Sequence, residues 1–120
     1  MGEAWFTGVA DELARCLVDA RHCAEACEAF LESLRERGEL AARRPVVDAL
    51  VAPAAVARVL IDLIDHPPEL VLAATRLCRD AAEHAVARVA GLPHQEAASL
   101  AAALRRAADS CDRLLDADLR

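Results

Sequence analysis

Apolar residues recur along this chain in alternating steps of three and four, the spacing that keeps side chains on one face of an α-helix. The clearest run is Phe6, Val9, Leu13, Cys16, Ala20, Cys23, Cys27, Phe30 and Leu34. Glycine and proline divide the chain into four such stretches. Thr7 is placed to cap a first helix over about 7–37, with Gly38 as its stop. Pro45 suits the first turn of a second helix over about 45–65, in which Pro53 predicts a kink or the true start. A third stretch runs over about 68–90 to Gly91, and a fourth, opened by Pro93, over about 93–117. Short links between long helices predict antiparallel neighbours. The expected fold is therefore all-α: one up-down-up-down four-helix bundle in a single domain over residues 1–120.

The other helices have inward stripes of their own. The second offers Val47, Leu50, Ala54, Ala57, Ile61 and Ile64; the third Val71, Ala74, Cys78, Ala81 and Ala85; the fourth Ala97, Leu100, Leu104, Ala107 and Cys111. All five cysteines fall on these stripes, three of them on the first helix, and the second helix has none. Alanine and leucine are abundant and aromatics few (Trp5, Phe6 and Phe30), which favours helix over strand. A net charge of −6 argues against a nucleic-acid partner. Asp48, Arg58, Asp62 and Asp65 interrupt the most apolar region, so no membrane span is expected. No export signal is visible either, and an odd number of cysteines at helical spacing fits reduced thiols or metal ligation better than a disulfide framework. The expected location is the cytoplasm.

Cys23 and Cys27 stand four residues apart, on one helix face, where two thiols can clamp a soft ion between them. A short unit recurs around this pair. Cys23-Ala24-Glu25-Ala26-Cys27, Ala81-Ala82-Glu83-His84-Ala85 and Ala107-Ala108-Asp109-Ser110-Cys111 share the order Cys or Ala, Ala, acid, any residue, Cys or Ala.

Together with His22 before the first unit, Leu77-Cys78-Arg79-Asp80 before the second and Arg105-Arg106 before the third, these units make the chain resemble the cysteine-rich four-helix bundles that include the cytosolic copper-storage proteins. The resemblance implies inward thiolates that hold Cu(I) by bridging, with a copper ion as cargo, and homo-oligomers formed through helix faces. The chain departs from that pattern at Ala20, Ala74, Ala81, Ala85, Ala97, Leu100, Leu104 and Ala107, where such proteins usually carry cysteine. Metal binding therefore carries over only to Cys16, Cys23, Cys27, Cys78 and Cys111, as a low-capacity Cu(I) function.

With about 1.5 Å of rise per residue and helices that turn straight back, Cys78 comes beside Cys23 and Cys27, and Cys111 comes near Cys16. The five thiols then share one band. Zinc is a poorer fit, because it prefers four ligands in a tetrahedron and no histidine is clearly on a seam. No Glu-x-x-His unit for a di-iron bundle occurs, and adjacent His22 and Cys23 diverge by about 100° on a helix, so no nucleophile and base are assembled. His22 and His84 are expected to hydrogen-bond at the surface and His94 to meet water. Arg58 with Asp62, and Asp109 with Arg113, read as solvated helix-face pairs. Two other readings remain at this point. The cysteines pack as small apolar groups in a structural or oligomeric bundle, or the alanine-lined core near Ala81, Ala85, Ala97 and Leu100 serves a small molecule or an enzyme activity.

Overall fold

A computed structural model describes residues 2–92 and 95–120. These residues form five helices: α1 (Gly2–Gly8), α2 (Ala10–Glu36), α3 (Arg44–Asp62), α4 (Pro68–Val89) and α5 (Gln95–Asp118). There is no strand among them. The four long helices pack in a ring, α2 against α3 and α5, and α4 against α3 and α5. The result is a rod of 49 × 20 × 17 Å.

The first expected helix is divided. Thr7 does not cap it; its hydroxyl donates to the Glu3 carbonyl within the short α1, and the chain bends at Val9 before α2 begins. The far end of α2 follows the sequence closely. Gly38 takes φ +69°, the Gly38 N–H donates to the Arg35 carbonyl and the Glu39 N–H to the Leu34 carbonyl. This paired closure needs a left-handed residue, which glycine supplies without steric cost.

Pro53 neither starts nor ends a helix. It lies buried inside a continuous α3, which closes at Asp62 rather than near 65. The start of α4 at Pro68 is as expected, while Pro93 and His94 lie outside the described residues.

The stripe on α2 is buried from Val9 to Leu34, and so is the whole stripe on α5. Two stripes turn relative to expectation. On α3 the core takes Val46 and Leu60, leaving Val47, Ile61 and Ile64 half-buried; on α4 it takes Ala82 in place of Ala81. Ala85, Ala97 and Leu100 are all buried in one apolar cluster with Phe30 and Leu34. A second cluster at the other end gathers Leu13, Leu60, Val71 and Leu114. Polar links tie α1 and the start of α2 to the chain end at α5: Trp5 Nε1 on α1 donates to Asp118 at 2.7 Å, and Arg120 pairs with Glu12 on α2 at 2.6 Å. Arg58 pairs with Glu28 on α2 at 2.7 Å, so it bridges two helices instead of meeting Asp62 along its own.

Candidate metal centre

All five cysteines are free and none is more than 1% exposed. They sit on three helices: Cys16, Cys23 and Cys27 on α2, Cys78 on α4 and Cys111 on α5. The thiols follow one another through the core. Cys16 Sγ is 3.8 Å from Cys111 Sγ across the α2–α5 contact. Cys78 on α4 interacts electrostatically with Cys111 and with Cys23, and Cys23 with Cys27 one turn along α2, so each thiol perturbs its neighbour's protonation. Cys23 and Cys27 belong to the apolar cluster around Phe30, the other three to the cluster around Leu13 and Leu114. The series therefore crosses the middle of the rod.

Protonation follows from this crowding. Cys23 is held well above the usual thiol value of 9.0, first by its hydrogen bond with Cys27, then by burial and by the charges that Cys27 and Cys78 would carry. Cys111 is raised as well, by hydrogen bonds with Cys16 and Cys78 and then by burial. Cys78 moves the other way, because the hydrogen bond from Cys111 favours its thiolate and outweighs burial. Cys78 is thereby better prepared to lose its proton than Cys23 or Cys111.

A dry, soft-sulfur environment selects ions that tolerate thiolate and few ligands. At a metal–sulfur bond of about 2.3 Å, the zinc–thiolate value, sulfurs at the Cys16–Cys111 separation of 3.8 Å subtend roughly 110° at a shared ion. Opening the pair by less than about 1 Å makes that arrangement linear. Among the described residues, no group of three or more His, Cys, Asp or Glu is gathered closely enough to enclose a metal ion. A four-ligand zinc site is thus not preformed there, whereas Cys16 and Cys111 form a close sulfur pair. His22, His66 and His84 are exposed, as expected of surface groups; His94 falls outside the described residues.

A family model described as copper storage protein matches residues 9–116. The chain belongs to the copper storage protein family. No curated protein and no solved structure matches it. The matched span takes in every long helix to within a few residues of its ends, and all five cysteines. This family member keeps its thiols in the middle of the rod and toward its α1 end, with alanine, leucine, valine and Phe30 filling the rest of the buried positions in the two apolar clusters.

Sequence reading missed one polar partnership beside the thiols. Ser110, next to Cys111 and only 2% exposed, donates its hydroxyl to the Asp19 carboxylate on α2. A serine at the edge of an inward stripe and an aspartate one turn beyond Cys16 are the only local signals, and neither names the other as partner.

Proposed function

We propose that this copper-storage family member is a low-capacity Cu(I) binder. Its ligands are Cys23 with Cys27, and Cys16 with Cys111, while Cys78 lies between the two pairs and bridges them. The observation that carries this reading is the continuous series of buried, free thiols, with 3.8 Å between the sulfurs of Cys16 and Cys111. Uptake of one ion by a pair exchanges two S–H protons for two Cu–S bonds, leaves an anionic dithiolate and releases both protons to solvent. Copper stays Cu(I) throughout, so no electron is transferred. Burial in apolar surroundings then protects the ion from water and oxidant.

The same reading takes residues 1–120 as one domain, with its helices running up, down, up and down in antiparallel order. The contacts of α1 and the α2 start with the α5 end support that order. We further place the protein in the cytoplasm, where thiols stay reduced, and as a homo-oligomer assembled through helix faces. Support for the latter comes from Val51 and Val59 on α3 and Leu70 and Leu77 on α4, all about half exposed. No helix among the described residues is long and apolar enough to cross a membrane.

The deciding experiment is an anaerobic Cu(I) titration against a competing chelator. One to a few equivalents should bind, with partial loss in Cys23→Ala/Cys27→Ala and in Cys16→Ala/Cys111→Ala. A reduced chain that takes no Cu(I) from the chelator rejects the reading and leaves the cysteines as packing groups.

A further inference from the structure

The contact between α2 and α5 carries two links at one level. Inside, the Cys16 and Cys111 sulfurs meet; beside them the Ser110 hydroxyl donates to Asp19. Ser110 adjoins Cys111 in sequence, and Asp19 lies three residues beyond Cys16, so both links join the same two turns. On the outer side, a hollow of about 130 Å³ is lined by Asp11, Glu12, Arg15, Ser110 and Arg113. Ser110 is the one lining residue that is also buried, so its hydroxyl stands where the hollow meets the core. At roughly 30 Å³ per water, the hollow has room for about four waters, or for an ion that keeps part of its hydration shell.

A larger opening also approaches the thiols. Farther along the same contact, a groove of about 430 Å³ is lined by Ala26, Ala29, Phe30, Ser33, Ser99 and Leu100. Ala26 precedes Cys27, but the hydroxyls of that groove, Ser33 and Ser99, are not buried, and the groups that lead inward from it are Phe30 and Leu100, which have no atom to replace a water leaving a cation. The smaller hollow offers a buried hydroxyl that is itself bonded to a carboxylate, Asp19 on α2. A polar atom that replaces departing waters one at a time lowers the barrier to bringing a charge out of water.

We propose that Ser110 and Asp19 latch a side entrance through which a soft cation passes from the Asp11–Arg113 hollow to the Cys16–Cys111 pair. This rests on the Cu(I) reading for the identity of the cation, though the entrance itself is a property of the apoprotein. Parting the Ser110–Asp19 hydrogen bond frees the α2 and α5 turns to separate by the small distance that exposes both sulfurs. Ser110 and Asp19 are positioning residues here. They hold the path shut and need not bind the stored ion.

The test compares the full chain with Ser110→Ala and with Ser99→Ala, a substitution in the apolar groove. Reduced protein is pulsed with iodoacetamide, and the modification of each cysteine is followed by mass spectrometry. Ser110→Ala should label Cys16 and Cys111 about tenfold faster, equivalent to about 1.4 kcal/mol of opening free energy, while Cys27 is unaffected. Asp19→Asn, which weakens the hydrogen bond and keeps the shape, should give a smaller acceleration at the same two cysteines. Ser99→Ala should label like the parent chain. Unchanged labelling in Ser110→Ala, equal acceleration at all five cysteines, or Cys27 reacting first in the parent chain overturns the entrance. A parallel stopped-flow transfer of Cu(I) from its chelator should quicken in Ser110→Ala. Selective labelling without any Cu(I) uptake refutes the copper function alone, whereas Cu(I) uptake with unselective labelling refutes the entrance alone.

Discussion

Alkaline pH should destabilise this protein through its cysteines. The sequence contains neither lysine nor tyrosine, so apart from the α-amino group the thiols are its only side-chain or terminal groups that titrate between about pH 8 and pH 11. Cys23 and Cys111 are raised above the usual 9.0 in the folded state, so the stability they contribute is complete below pH 9.0 and falls above it, where the unfolded chain ionises and the folded one does not. At about 1.5 pH units above that value each thiol costs about 2 kcal/mol, and the two together about 4 kcal/mol. Cys78 is lowered, so its gain in stability comes below pH 9.0 and is complete there; measured from neutral pH, it offsets part of the loss. The net loss is about 2–4 kcal/mol, which for a chain of this length lowers the melting temperature by about 8–16 °C. Circular dichroism melts under argon with a phosphine reductant, at about pH 7.5 and about pH 10.5, measure it directly. Cys23→Ala/Cys111→Ala should lose most of the pH dependence. A flat melting temperature in the parent chain, or the same fall in the double variant, refutes the assignment of these thiols as protonated core groups.

Three further outcomes follow from the same structure. Apparent Cu(I) affinity of a two-thiol site should rise about a hundredfold per pH unit near neutrality, since two protons leave per ion; a competition titration at several pH values that gives a slope of zero would exclude thiol ligands. Leu104→Ala, at a fully buried position of α5, should cost about 2–5 kcal/mol in denaturant unfolding. Gly38→Ala should cost about 1–2 kcal/mol by the same assay, because its φ of +69° strains any side chain even though no atom lies within 4 Å of the added methyl.

What could be read from sequence depended on contrast between neighbouring residues. On α2 each inward residue from Val9 to Leu34 is apolar and most of its neighbours are polar, so the buried face was legible one residue at a time. Ala81 and Ala82, Val46 and Val47, and Leu60 and Ile61 are pairs with equal claims on the core. There the helix turns by one residue at no cost in polarity, and packing against neighbours decides. The break at Val9 was hidden because Thr7 matches a capping residue whether or not a helix starts beside it; here its hydroxyl serves α1 instead. The five thiols were legible as an inward set, since their spacing on each helix is local. Their connections are not local. The Cys16–Cys111 approach was anticipated from helix length, but the Ser110–Asp19 link and the Arg58–Glu28 bridge depend on the axial and rotational setting of two helices, which single-helix periodicity does not contain.

Trp5 is the sole indole of the chain, and it is fastened at the end of the rod nearest Cys16 and Cys111. Its ring stands edge-on to Phe6 at 4.9 Å, and its nitrogen is tied to Asp118, seven residues beyond Cys111. The molecule thereby carries a built-in fluorophore whose emission reports the docking of α1 and the α5 terminus. Excitation of this one chromophore gives a readout of fraying at that pole, separable from melting of the tryptophan-free opposite pole, without an added dye.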